Sequence, residues 1–219
     1  MTPHLQKQHK SIMEIAYKFY LGIHILSGFT ALVTGFIAIV AQKGKKLHKI
    51  TGLTFFISMV VVCVSAILIS LMKDNRFLLH IGIFSFYLVY SGYRSVKNKS
   101  LNPSTMDWVM LLTAFVNCLA MLLSEQLVLI VFSVLGTSLA AQDAKLFYNI
   151  IKQQEILKNQ WLLRHISTML GGYIATFTAF IVVNVSLESL PWLPWLLPTI
   201  IGTPLIAFWT RKYQPKKSN

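Results

Sequence analysis

Along the chain, stretches in which nearly every position is apolar alternate with short stretches that collect lysine, asparagine, proline and glycine. Each apolar stretch is close to the ~20 residues that a helix needs to cross a hydrocarbon layer. Seven helices are predicted. The first covers residues 16–42 and is closed by Lys43-Gly44-Lys45-Lys46. The second covers 48–72 and stops at Lys73-Asp74-Asn75-Arg76, and the third covers 77–97, ahead of the turn-rich run from Asn98 to Pro103. The fourth and fifth, 106–123 and 126–145, are parted only by Ser124-Glu125. After a polar stretch to Gln160 come the sixth, 161–185, and the seventh, 192–209. Pro191, Pro194, Pro198 and Pro204 make the last helix the least regular, because each proline removes a backbone donor.

The expected fold is therefore all-α: a seven-transmembrane-helix bundle in a single integral membrane domain over residues 16–213. A polar segment, 1–15, precedes it and a basic tail, 214–219, follows. Composition agrees. Of 219 residues 55% are apolar and 12% charged, about half the charged share of an ordinary soluble domain. Mean hydropathy is +0.61. A soluble globule, a disordered tail and a fibrous repeat are excluded, and the spans leave no length for a separate soluble catalytic domain.

Charge then orients the helices. Lys and Arg number 20 against 7 Asp and Glu, a net +13. In a soluble protein this would suggest nucleic acid, but cytoplasmic loops of membrane proteins collect Lys and Arg. One side holds Lys43, Lys45, Lys46 and Lys49, then Arg94, Lys97 and Lys99, then Lys145, Lys152, Lys158 and Arg164, and finally Arg211, Lys212, Lys216 and Lys217. The other side keeps only Lys7, Lys10, Lys18, Lys73 and Arg76. The asymmetry places the N-terminus outside and the C-terminus in the cytoplasm, in the bacterial inner (plasma) membrane. Lipid is the expected partner and nucleic acid is not. Trp108, Trp161, Trp192, Trp195 and Trp209 fall near helix ends, where interfacial anchors belong. The N-terminus lacks the order of a cleavable signal peptide, so the first apolar run reads as a true span. Cys63 and Cys118 lie inside apolar runs without a CxxC pattern and read as small apolar fillers.

Candidate chemistry rests on histidine. His24, His48, His80 and His165 lie in or at the edges of spans, where ionisable side chains are rare. The derived topology sorts them into an outer pair, His24 and His80, and an inner pair, His48 and His165. Paired imidazoles on facing helices are what a b-type haem requires as axial iron ligands. Two such pairs at two depths would form a transmembrane electron path. Gly28 and Gly52 each follow a histidine by four residues, on the same helix face, where a flat ring could approach the backbone. Helix six offers Met169 and Gly172 at matching spacings. The competing reading treats the glycines as close helix crossings and the histidines beside Lys49, Arg164 and Arg76 as headgroup contacts. A non-haem metal site is weaker, because no Asp, Glu or Cys stands at ligand spacing.

Other polar positions read as structural. Asn117 and Asn184 would hydrogen-bond across helices. Asp143 would pair with Lys145 or Arg164, and Tyr87, Tyr90 and Tyr93 would pack. Gly171-Gly172 with Ala175 and Ala179 looks like a packing seam. No phosphate loop, HExxH or serine-nucleophile pattern occurs, and helix seven has no interior lysine for retinal.

The segments Leu47-His48-Lys49-Ile50-Thr51-Gly52-Leu53 and Leu163-Arg164-His165-Ile166-Ser167-Thr168-Met169 carry a resemblance. From about Phe19 to Tyr213 the chain resembles a bacterial family of predicted multi-pass membrane proteins of unknown function. Lys49 stands where that family more often has arginine. The resemblance implies membership and no reaction. More loosely, His48 with Gly52 and the two-level layout resemble the ascorbate-linked transmembrane di-haem b cytochromes. Those carry their ligands on four successive helices, whereas here two helices intervene before His165. Two functions are thus expected to compete. One is a b-type haem electron-transfer module with a redox partner. The other is a cofactor-free membrane component such as an assembly factor, scaffold or small-solute carrier.

Overall fold

The computed structural model describes residues 3–215; of the basic tail, Lys216 and Lys217 lie outside the described residues. Seven helices occur in the predicted order: α1 (Pro3–Val40), α2 (Lys46–Met72), α3 (Arg76–Lys97), α4 (Thr105–Leu122), α5 (Leu127–Ile151), α6 (Gln160–Asn184) and α7 (Leu193–Tyr213). Two departures from the predicted bounds stand out. α1 takes in most of the segment read as a polar extension, and α5 runs six residues further, to Ile151. Polar residues stopped both predictions, yet they continue a helix where its flank meets water. Six of the helices, all but α3, are long and apolar enough to cross a membrane. The chain is a membrane protein with several spanning helices.

The helix ends show why the breaks fall where they do. Ser104 and Asp107 form a reciprocal capping box at the start of α4, with Ser104 N–H donating to Asp107 Oδ2 at 2.7 Å. Asp74 and Gln153 adopt left-handed conformations, at φ 49° and 55°, just past α2 and α5. There Asn75 N–H reaches Ser70 O and Gln154 N–H reaches Asn149 O, which is the Schellman closure. Lys43 closes α1 differently. Its ammonium donates to the carbonyls of Ala38, Ile39 and Ala41, which lie at the helix end.

The chain divides into two compact units, Met1–Gly82 and Ile83–Asn219, with the boundary inside α3. In the first, α1 and α2 form an antiparallel hairpin. Its rungs run from Tyr17 with Lys73, through His24 with Val62 and Ser65, to Ala38 with His48. Outward positions such as Phe19, Leu26, Phe29 and Phe36 are exposed, the arrangement of helices that face lipid rather than a protein core.

In the second unit, the C-terminal part of α3 contacts α4, α5 and α6. Phe84 stacks on Phe132 at 5.8 Å. Close crossings occur where side chains vanish. A Cβ on Gly92 of α3 would come within 2.5 Å of Met169, and one on Gly136 of α5 within 2.5 Å of Cys118 Sγ. Gly202 of α7 packs equally tightly on Ile174 of α6. Cys63 and Cys118 are both buried, as small fillers should be. The face that α3 turns to these neighbours is polar: Ser85, Tyr87, Ser91 and Ser95 are all buried.

Candidate functional site

Of the four histidines, three turn one ring nitrogen onto a backbone carbonyl of another helix. His24 on α1 directs Nδ1 at Val62 O of α2, 3.2 Å away, and at Ser65 Oγ, 3.1 Å away. His48 at the start of α2 directs Nδ1 at Ala38 O in the last turn of α1, at 2.9 Å. His165 on α6 directs Nδ1 at Gly92 O of α3, at 3.0 Å. A carbonyl can only accept, so Nδ1 carries a proton in each ring. Metal-ligating histidines are commonly held in this way, their other nitrogen anchored to a carbonyl that fixes tautomer and ring angle. His80 is the fifth residue of α3, half-buried and in the first unit. His48 and His165, also weighed as headgroup contacts, each fasten a neighbouring helix through Nδ1.

The two candidate glycines behave unlike the crossing glycines. Beyond the helix's own adjoining backbone, nothing lies within 4 Å of a Cβ built on Gly28 or Gly52. Their role is therefore not the close helix crossing that Gly92, Gly136 and Gly202 perform. One turn from His24 and one turn from His48, the helix surface carries a notch open to whatever lies outside it. These residues fit a flat ring beside an anchored imidazole, by donor chemistry and by space. Among the described residues no three His, Cys, Asp or Glu side chains converge to hold a metal.

The second unit holds a polar constellation that the sequence reading underrated. Asp143 on α5 accepts two hydrogen bonds from Arg164 on α6, Nε to Oδ1 at 2.7 Å and Nη2 to Oδ2 at 2.6 Å. Tyr87 on α3 donates to the same carboxylate at 2.6 Å. Arg164 spends its remaining nitrogen, Nη1, on Ser95 Oγ at 3.0 Å and Ser91 O at 3.3 Å. Of the two partners foreseen for Asp143, it is Arg164 that binds it. One helical turn along α3 the motif repeats. Tyr90 donates to Asp107 at 3.0 Å, and Arg94 grips the same carboxylate through Nε and Nη2. Two of the three tyrosines read as packing, Tyr87 and Tyr90, are thus hydroxyl donors to two Arg–Asp forks. Their spacing showed a shared face but not the carboxylates that face meets.

The first pair is deeply placed, with the Asp143 and Arg164 side chains 9% and 6% exposed; in the second the Asp107 side chain is 2% exposed while Arg94 keeps 27% of its surface open. A buried charge is tolerable only when paired and fully hydrogen-bonded, and bidentate geometry provides both. Asn184 departs from expectation, bonding back to Phe180 O on its own helix.

Apolar spanning helices, charges neutralised in pairs between helices and exposed apolar flanks together define a polytopic α-helical membrane protein. The family described as Predicted membrane protein (DUF2306) matches residues 21–147, and the chain belongs to that family. The match takes in His24, His48, His80, Asp107 and Asp143, and ends before Arg164 and His165. No curated protein and no solved structure matches the chain.

Proposed function

We propose that this protein is a b-type haem-binding electron-transfer module of the bacterial inner membrane, N-terminus outside, handing electrons to a redox partner. The observation that carries the reading is local to the first unit. His24 and His48 are each anchored through Nδ1 and each stand one turn from a glycine whose outer side is open. His80 and His165 are the other candidate iron ligands. A bound haem would supply one-electron chemistry. The chain's own residues hold imidazole rings at fixed angles, set the tautomer that can ligate iron, and leave flat backbone surface beside them.

The test is an absorption spectrum of the full chain purified from haem-replete cells. A Soret band that shifts on dithionite reduction is expected, and it should fade in His24→Ala. Gly28→Leu and Gly52→Leu should lower haem content while leaving helicity intact, since their Cβ positions meet no protein. Colourless, iron-free wild-type protein overturns the reading.

A second reading is favoured by the same hydrogen bonds taken as structure alone. His24, His48 and His165 each fasten two helices, as a cofactor-free assembly factor, scaffold or small-solute carrier would need. It predicts that the three histidine variants change stability and nothing spectroscopic.

A further inference from the structure

A different site lies at the other end of the α1–α2 hairpin from His48, wholly within the first unit. A cavity of about 240 Å³ is lined by Lys10, Met13, Glu14, Tyr17, Lys18, Met72 and Lys73. Its position is set by the helices themselves. The apolar run of α1 begins near Ala16 and that of α2 closes at Met72, so the cavity lies where both helices leave their apolar runs. Beside it Ile12, Ile15, Phe19 and Leu71 are exposed, the surface that acyl chains cover. The lining carries three ammonium groups against one carboxylate. Lys18 is paired with Glu14 at 2.9 Å, and Lys73 lies over the Tyr17 ring at 4.1 Å. Met13 and Met72 form a pliable apolar part of the wall.

We propose that this cavity binds the headgroup of an anionic phospholipid, its phosphate among Lys10, Lys18 and Lys73 and its chains along the apolar flank of α1 and α2. Each requirement is met by a named feature. Excess positive charge selects an anionic over a zwitterionic headgroup, as basic pockets between membrane helices do. The volume lies just below the ~300–1,000 Å³ of pockets for drug-sized ligands, the scale of a headgroup rather than a whole lipid. The apolar flank favours a phosphate that arrives on a lipid over one free in solution. The Tyr17 ring holds the Lys73 ammonium at the cavity edge. The site shares no residue with the proposed haem ligands, so either proposal can fail alone.

The experiment is native mass spectrometry of the full chain in detergent with equal phosphatidylglycerol and phosphatidylcholine. Wild type is expected to retain phosphatidylglycerol with about a tenfold preference, and the triple variant Lys10→Gln, Lys18→Gln, Lys73→Gln to lose it. Glu14→Gln, which removes the opposing carboxylate, should strengthen the preference about threefold or more. Lys45→Gln with Lys46→Gln, at the opposite end of the hairpin, should change nothing. Circular dichroism confirms that each variant keeps its helices. No preference in wild type, an unchanged one in the triple variant, or a weakened one in Glu14→Gln overturns the proposal. So does binding of inorganic phosphate alone that competes away the lipid signal at millimolar concentration, which would make the site one for free phosphate.

Discussion

At the scale of single residues, the decisive groups are those whose charge cannot reach water. Asp143 accepts from Arg164 and Tyr87 together, so its carboxylate has no need of solvent. Removing one partner strands the other. Asp143→Asn is expected to destabilise the second unit by about 3–5 kcal/mol, because Arg164 keeps a buried charge without its counter-ion. Asp143→Leu with Arg164→Met removes both charges, and should come close to wild type. Thermal unfolding in detergent, followed by circular dichroism, separates the two. Equal destabilisation by both variants would mean that the pair is worth more than its charges. Much of this was legible in the sequence, since an aspartate and an arginine inside apolar runs demand partners. The tyrosines were not legible: Tyr87 and Tyr90 share a face with each other on any helix, and only the packing of α4 and α5 brings a carboxylate to each hydroxyl.

Single helices are governed by how their ends are closed. Two of the unpaired N–H groups at the start of α4, those of Ser104 and Asp107, are met by the Ser104–Asp107 box, and Asp107 also holds Arg94 and Tyr90. Ser104→Ala removes the hydroxyl but leaves the forked ion pair, so a loss of about 1 kcal/mol is expected in denaturant or thermal unfolding. A loss of several would show that the cap and the ion pair act as one unit. Gln153 occupies a left-handed conformation that a side chain disfavours by roughly 1–2 kcal/mol. Gln153→Gly should therefore stabilise α5 by about 1 kcal/mol, while the same change at Tyr148, inside that helix, should cost about 1 kcal/mol. Most bounds of the apolar helices were legible to within a residue or two. They were missed at the start of α1 and at the ends of α5 and α7, where polar residues prolong a helix without changing its backbone preference.

For the whole molecule, charge asymmetry makes orientation testable. If α3 crosses and the lysine-rich loops face the cytoplasm, Ser100→Cys is expected inside and Ser124→Cys outside. Intact cells should therefore label only Ser124→Cys with a membrane-impermeant maleimide, while a permeant reagent labels both. Cys63 and Cys118 are buried and should contribute little background. Labelling of Asp74→Cys and Ser100→Cys from the same side would show that α3 does not cross. That outcome would have a cause in α3 itself, which carries Arg76, His80, Arg94 and Lys97 and is not among the six helices apolar enough to span. Sequence alone determined the helix count, the helix order and the membrane as solvent, because each depends on runs of apolar residues that are complete within one segment. It also marked the four histidines as out of place in hydrocarbon. Tertiary structure alone decided that three imidazoles clasp a neighbouring backbone, that Gly28 and Gly52 face outward while Gly92 receives Met169, and that two tyrosines serve two Arg–Asp forks. The reason is physical: hydropathy is summed along one segment, whereas a hydrogen bond or a notch exists only when a second helix arrives at a definite rotation and depth.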